Sequence, residues 1–457
     1  MRPLTVEQIS HVTGGRLSPS SAAGLRVQTI CTDTRTIKPG SLFIAIKGEK
    51  FDAHEKLHEA AAGGAVAAIV ERIPHHAPPL PLILVDSSRR AMGALATHVR
   101  KQLAGKVIAV GGSNGKTSTK SLIHSVLSAA LKGSASPKSF NNDIGVPLAI
   151  FPADPADDYL VLEIGTNHPG EVRALSEMAL PDIAVITSIA AEHLEGLGDI
   201  DGVRREEAEL IAGLNPRGTL IVNGDDEKIL ALVSRFTGSI ITFGFAPTND
   251  LVATDIECLD SGVRFRINGE GGGGRRFFVP MLGKHVASNA LAAVAVALEM
   301  GLGDDEIVLA LSQAHGPDMR LELQHVNGMT ILNDAYNANP ASMRAALETV
   351  CEMPAQGRRV AVVGDMRELG EHAEKYHREA GEFVGRCKLD VLVCVGEHSA
   401  VFADAARAAG MRSVYQFKDV ISAARFVPRA LRKGDLILFK ASRGVELENV
   451  VKAVQAA

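Results

Sequence analysis

The sequence predicts an α/β chain of three domains. Three observations lead there. At 457 residues the chain exceeds the size at which one hydrophobic core keeps growing. Short apolar strands alternate with helix-length segments from end to end, with breaks of pattern near residues 103 and 315. And "VIAVGGSNGKTSTK", residues 107–120, reads as a buried strand, a glycine turn and the polar start of a helix. The expected division is a smaller N-terminal α/β domain over 1–103, a central parallel-sheet domain over 104–315 and a C-terminal Rossmann-like α/β domain over 316–457.

The N-terminus "MRPLTVEQIS" starts a helix, with Thr5 and Gln8 at capping-box spacing, and has no apolar signal core. Strands follow at "SLFIAI", "AVAAIV" and "LILV". The loose "PHHAPPLP" makes His75 and His76 loop residues, with no third metal ligand at a recognised spacing. A helix over 88–103 leads into the strand at 107–110.

The loop after that strand is Gly112-Ser113-Asn114-Gly115-Lys116-Thr117, with Ser118 next in the helix. Glycines let backbone N–H groups converge at a helix N-terminus, where the helix dipole also favours an anion. A polyphosphate suits that cradle, with Lys116 reaching the terminal phosphates and the Thr117 hydroxyl serving the accompanying Mg²⁺. A longer phosphate loop would carry a glycine where Val110 stands, so this is the short form of a P-loop ATPase domain.

Strands "LVLEIG", "IAVITSI" and "GTLIVNG" continue the parallel rhythm. Glu163 closes the first of them and so emerges at the carboxyl end of the sheet, where the phosphate loop also opens, as a candidate Mg²⁺ ligand. "GTNHPGE" puts Asn167 and His168 on the adjoining loop, and "AAEHLEG" brings His193 to the same sheet end. The stretch from "SIITFGF" to "RRFFVP" has more strand character, and its "GEGGGGRR" reads as a hairpin loop rather than a second phosphate cradle, since no helix start follows. "ALAAVAVAL" suits a tightly packed buried helix and is too short to span a membrane. "MTILNDAY", "RRVAVVGD", "DVLVCVG" and "DLILFKAS" then wind the third domain.

Composition excludes several classes. A net charge of −5 lacks the basic footprint of a nucleic-acid binder or of a protein drawn to an anionic membrane. Five scattered cysteines form neither a disulfide framework nor a zinc site and read as small buried hydrophobes in a reducing cytoplasm.

"SFNNDIGVPL" (139–148), the phosphate loop, "EIGTNHPGE" and "HLEG" together resemble the Mur ligase family of ATP-dependent peptide-bond ligases. "TDTRTIKPGSLFIAIKGEKFDAH", "NDAYNANPASMRAAL", "VVGDMRELGEHAEKYH" and "LFKASRGVELENVV" are similar to its MurF type, and the resemblance runs from about residue 5 to 451. It implies an N-terminal domain holding the UDP end of a sugar nucleotide, a central ATP-binding domain and a C-terminal domain bringing the amine. The implied reaction joins D-alanyl-D-alanine to UDP-N-acetylmuramoyl-tripeptide through an acyl phosphate, releasing ADP and phosphate. ATP and two Mg²⁺ ions are the implied cofactors. No nucleic acid or membrane insertion enters, and the chain is expected to act as a monomer in the cytoplasm.

Carried over by position, the resemblance assigns Lys116 to the transferring phosphate, Thr117 and Glu163 to a first Mg²⁺ site and His193 to a second. Asn289 falls on the adenine side, Arg320 at the domain junction near the phosphates and Asp334 at the ribose. Tyr336, Asn337, Asn339 and Pro340 match the family's "YNANP" signature, and Asn142 and Asn167, with His168 beside them, match the tripeptide end. Asp33, Arg35, Phe43, Gly48 and Asp52 match the UDP end, although Asp33 and Arg35 alone would read as a surface ion pair.

One position departs. The family places a CO₂-modified lysine fourteen residues after this histidine, completing the second metal site, and here Glu207 stands there. On residue type alone, 204–209 is a solvated, charge-laced helix face. As a replacement, Glu207 brings permanent negative charge but falls short by roughly 3–4 Å, a gap that a water on Mg²⁺ could fill. Two alternatives remain open: a sister ligase adding one amino acid to a muramoyl peptide or glutamate to folate, and an ATP-binding homologue without catalysis. "YNANP" and "GDMRELGE" speak against the first, and Lys116, Thr117, Glu163 and His193 against the second.

Overall fold

The computed structural model describes residues 1–49, 51–76, 78–269 and 274–457. Each of three successive stretches of chain forms its own principal sheet. The N-terminal sheet has five strands, in the order Arg16–Ser18, Leu82–Leu84, Ala65–Val70, Ser41–Ile44 and Thr29–Cys31, parallel except at the first pairing. The helix Val6–Thr13 beside it carries the expected capping box, with Gln8 N–H donating to Thr5 Oγ1 and Thr5 N–H to Gln8 Oε1.

The central sheet has nine strands. From Gly133–Ala135 it runs through Tyr159–Glu163, Lys106–Gly111, Ile183–Ile186, Thr219–Asn223 and Ser239–Gly244 to Leu251–Leu259, all parallel. Two antiparallel strands, Gly262–Gly269 and Arg276–Val279, complete it. The glycine-run loop falls largely on residues 270–273, outside the described residues, but the strands on either side of it do pair as a hairpin. The C-terminal sheet has six strands, parallel except for the edge strand Glu322–Val326. The chain passes from the first sheet to the second between Leu84 and Lys106, and from the second to the third between Val279 and Glu322.

Register explains the position of the site. Glu163 pairs with Val110 and Ile186 with Gly111, so three neighbouring strands end level. The chain runs to one side of Lys106–Gly111 for its next strands and then to the other side from Ile183 on. Such a reversal opens a crevice beyond the carboxyl ends of parallel strands.

The cores are less separate than the sheets. One apolar cluster unites N-terminal residues such as Ile9, Leu42 and Leu95 with central ones such as Val107, Leu162 and Leu175. The helix Ser88–Arg100 is the joint: Arg100, 8% exposed, reaches Asp182 at 2.7 Å and donates to the Leu180 carbonyl. On the other face of the central sheet the helix His285–Glu299 is buried along most of its length, and its alanines let it pack closely on Lys116–Leu127. The C-terminal sheet has a core on each face. The cysteines depart from expectation: none is in a disulfide, but only Cys394 is buried and Cys258 is exposed. Among the described residues no helix is long and apolar enough to cross a membrane.

Candidate active site

The phosphate-loop segment forms a tight turn between the strand Lys106–Gly111 and the helix Lys116–Leu127. Gly112 (φ 107°) and Gly115 (φ 86°) take up the left-handed region, and a Cβ at Gly115 would strike the Asn289 amide. The first hydrogen bond of the helix runs from Thr119 N–H to the Gly115 carbonyl. The N–H groups of Lys116, Thr117 and Ser118 are thus left without helix partners, as an anion site requires.

The rest of the loop is anchored from behind. Ser113 N–H donates to the Ser188 carbonyl at 2.6 Å, Asn114 N–H to Ser188 Oγ at 3.2 Å and Gly112 N–H to Glu207 Oε2 at 2.6 Å.

In front of the loop lies a cavity of about 310 Å³, lined among others by Ser113 through Ser118, Glu163, Asn142, Asn167 and His193 from the central sheet's loops. Arg320, Tyr336, Asn337 and Asn339 from the C-terminal stretch close its other side. A smaller cavity of about 240 Å³ adjoins it, bounded by Asn289, Ser118, Arg320 and Asp334. Asn289 Nδ2 is buried and has no hydrogen-bond partner among the described residues, so an unspent donor is available at this second cavity.

Lys116 is folded back into the loop, donating to the carbonyls of Gly112 and of Ser113 (3.0 Å) and lying 3.3 Å from Glu192 Oε1. Burial works to lower its pKa, but Glu192, Glu207 and Glu163 around it hold it above the ordinary lysine value. It stays charged. Glu163 Oε1 accepts from Asn141 Nδ2 at 3.1 Å, while its buried Oε2 accepts no hydrogen bond among the described residues and has the Lys120 ammonium 3.0 Å away. A cationic group already stands at that oxygen, and Thr117, whose hydroxyl lies 3.4 Å from Ser139 Oγ, lines the same cavity. Hard oxygen donors beside a phosphate cradle suit Mg²⁺.

Residues 110–297 match the Mur ligase middle domain and residues 319–443 the Mur ligase glutamate ligase domain. The UDP-N-acetylmuramoyl-tripeptide--D-alanyl-D-alanine ligase of Bacillus subtilis is 36% identical over 98% of this chain and 97% of its own length. This chain belongs to the Mur ligase family, in its MurF branch. The crystal structure of MurF from Acinetobacter baumannii covers both chains completely at 32% identity, with a TM-score of 0.91. That of MurF from Thermotoga maritima in complex with ADP covers 94% of this chain and 97% of its own at 26% identity, with a TM-score of 0.81.

Against that family pattern the residues sort into three groups. The first faces the cavities and crosses domains. Asn339 caps the helix Pro340–Glu352, and its Nδ2 donates to Asn114 Oδ1 at 2.9 Å and to Glu192 Oε2 at 3.2 Å. Arg320 lies over the Tyr336 ring, 4.4 Å from its centroid, with Arg443 5.8 Å away. Asp334 does border the smaller cavity, yet its carboxylate is shared with buried Lys440, 2.5 Å away. Asn337 gives its carbonyl to the same ammonium. His193 Nδ1 lies 2.5 Å from Glu368 Oε2. Burial would lower the His193 pKa, but the bond to Glu368 and the charge of Glu192 raise it above the ordinary histidine value.

The second group holds loops in place. Asn142 Oδ1 accepts from Gly145 N–H at 2.8 Å and starts a short helix. His168 is exposed and does not line the main cavity; its N–H and that of Asn167 donate to Glu171 Oε2. Glu207 is fully buried, so the reading of 204–209 as a solvated face fails there. Nor does Glu207 line the cavity; its carboxylate sits behind the phosphate loop on Gly112 N–H, with Oε1 unpartnered among the described residues. Burial pushes its pKa up to about 7, against the pull of Lys116. Its neighbour Glu206 grips the other loop, accepting from Gly170 N–H and Val172 N–H at 2.8 Å each.

The third group lies apart from both cavities. Asp33 caps a 3-10 turn and pairs at 2.6 Å with Arg35, whose side chain is 87% exposed. Asp52 bonds His54 at 2.7 Å and Arg72 at 2.9 Å, beside the exposed turn at Gly48. Phe43 does not present its side chain to a ligand as expected: it has no exposed surface and packs in the N-terminal core with Ala45 and Leu57, because every side chain of Ser41–Ile44 is buried.

Glu192, Lys120, Lys440 and Glu368 carry no motif of their own that marks them in the sequence. Lys440 had a signal, a lone charge in the apolar strand "LILFK", and Glu192 adjoins His193 in "AAEHLEG".

Proposed function

We propose that this chain joins D-alanyl-D-alanine to UDP-N-acetylmuramoyl-tripeptide with cleavage of ATP to ADP and phosphate, as a monomer supplying cytoplasmic peptidoglycan precursors. The observation that carries the reading is end-to-end identity of 36% with ligases of that name. In the proposed mechanism the triphosphate lies on the free N–H groups of Lys116, Thr117 and Ser118, with the base toward Asn289. The tripeptide carboxylate attacks the γ-phosphorus, the bond to ADP breaks, and an acyl phosphate forms. The D-alanyl-D-alanine amine attacks the acyl carbon, phosphate leaves, and the amine gives up a proton.

Two anions must meet in this sequence, so Lys116 supplies positive charge where the phosphoryl group transfers, and Arg320 brings more from the C-terminal side. Mg²⁺ held by Thr117 and Glu163, with a second ion at His193, would add charge neutralisation at the phosphates. Because acyl phosphates hydrolyse readily, a cavity closed from two domains excludes water while the amine arrives. Asn142 and Asn167 border the tripeptide end, with His168 on the adjoining loop, and Tyr336 and Asn339 shape the C-terminal wall. Asp33, Arg35, Gly48 and Asp52 are assigned to the UDP end on family resemblance. Release of ADP should require both the muramoyl tripeptide and D-alanyl-D-alanine. Equal turnover with glutamate or single alanine as the amine would refute the assignment.

We read Glu207 as holding the phosphate loop through Gly112 N–H rather than as a metal ligand. Removing bicarbonate should then leave activity unchanged. Glu207→Ala should weaken ATP binding by about 1–3 kcal/mol, the cost of a buried N–H left without its acceptor. Isothermal titration with a non-hydrolysable ATP analogue measures it, and parent-like affinity would show that the carboxylate is dispensable. Glu207→Lys puts a cation beside Lys116 and is expected to work only when bicarbonate converts it to a carbamate.

A further inference from the structure

His193 belongs to the central sheet's loops, yet the turn that carries it is held from the C-terminal domain. His193 (φ 52°) and Glu368 (φ 65°) both occupy the left-handed region without being glycine. That conformation is costly and persists only where the surroundings fix it. Here the two residues fix each other. His193 Nδ1 lies 2.5 Å from Glu368 Oε2, and Glu195 N–H donates to the Glu368 carbonyl at 3.2 Å. Gly370 follows so closely that a Cβ on it would stand 3.4 Å from the Glu195 Cα. Beneath the turn, Leu194, Leu197 and Val203 share one apolar core with Met366 and Leu369. The histidine turn is therefore embedded in the C-terminal domain while its imidazole borders the phosphate cavity.

An imidazole has two nitrogens, and the bond made by one determines what the other can do. With Nδ1 engaged by Glu368, Nε2 is the nitrogen left toward the acidic side of the cavity, 3.9 Å from Glu192 Oε2. A carboxylate behind a metal-binding imidazole fixes the rotation and tautomer of the ring. We propose that Glu368 is the positioning residue for His193, so that docking of the C-terminal domain is what presents His193 Nε2 to the phosphate site. The inference rests on the reading of His193 as a Mg²⁺ ligand. It makes the ATP site complete only when the domain that brings the amine is in place. ATP cleavage without an acceptor is restrained accordingly.

Two readouts test it, neither of which uses the sugar nucleotide or D-alanyl-D-alanine. The first is a long-range ¹⁵N–¹H spectrum of the histidine side chains in protein without nucleotide or metal, with His193 assigned by loss of its signals in His193→Asn. At a pH alkaline enough to leave the ring neutral, the parent should show a single tautomer protonated at Nδ1, Glu368→Ala should show averaged nitrogen shifts, and Glu368→Gln, whose amide oxygen still accepts from Nδ1, should stay near the parent. The second is Mn²⁺ titration by electron paramagnetic resonance with a non-hydrolysable ATP analogue bound. Glu368→Ala should weaken the affected site by about 10–100-fold, with Glu368→Gln recovering to within about threefold, as expected of a carboxylate behind a ligand.

A parent-like His193 spectrum and Mn²⁺ affinity in Glu368→Ala would overturn the proposal, and so would a Glu368→Gln variant as impaired as Glu368→Ala. Should Glu368→Ala fail to fold, Glu368→Met, closer in volume, carries the same comparison. If the parent binds Mn²⁺ as described but performs no ligation, the proposed reaction falls and this inference stands.

Discussion

Lys116→Ala is expected to slow the chemical step by about 10²–10³-fold, the range seen when a preorganised charge is removed from the group that develops charge in a dry site. The surroundings make the loss severe. Glu192, Glu207 and Glu163 all act on this ammonium, so its removal leaves three carboxylates near a cavity that must accept a triphosphate. Lys116→Arg should rescue little, because a planar guanidinium cannot fit between the Gly112 and Ser113 carbonyls that the ammonium reaches. Rapid-quench single turnovers at saturating substrates separate chemistry from binding. A rate for Lys116→Ala within about threefold of the parent would deny the loop its catalytic role.

Asp334→Ala carries the largest expected effect on stability. Lys440 is 2% exposed and Asp334 7%, and burial already pushes the Lys440 pKa down against the opposing pull of the carboxylate. Removing one partner strands a buried charge at a cost of about 3–5 kcal/mol, while replacing both by apolar groups can approach neutrality. Hydrogen exchange in the strands Met329–Asp334 and Leu436–Lys440, which pair in parallel, reads the local loss. Asp334→Ala should lose protection there, and adding Lys440→Met should restore a large part. Equal protection in Asp334→Ala and the parent would mean that the pair adds nothing to the fold.

The two expectations differ in how far the sequence alone could carry them. The phosphate loop is contiguous: its glycines, Lys116 and Thr117 act through backbone geometry within six residues, so strand, turn and helix were legible together. Glu163 was legible because a strand end in a parallel sheet has a known address. The Asp334–Lys440 pair joins residues 106 apart, and only the parallel pairing of their strands brings the charges together. Glu207 shows the limit most clearly. Its neighbours Arg204, Arg205, Glu206 and Glu209 suggest a solvated helix, and helical periodicity could not reveal that Glu206 and Glu207 point at the N–H groups of two different loops. Phe43 failed for the opposite reason, since an aromatic matched by position to a ligand site lies in a strand buried on both faces. Domain contacts such as His193–Glu368 have no local signature, because each partner is unremarkable within its own segment.

In the proposed reaction the tripeptide carboxylate is phosphorylated in the cavity between the central and C-terminal domains before the amine attacks. Ligation with UDP-N-acetylmuramoyl-tripeptide labelled with ¹⁸O in its terminal carboxylate tests this directly, by mass analysis of the released phosphate. Each phosphate should carry one oxygen from the labelled carboxylate, since the acyl carbon–oxygen bond breaks when the amine attacks. Phosphate free of label, with ligated product formed at the normal rate, would contradict it.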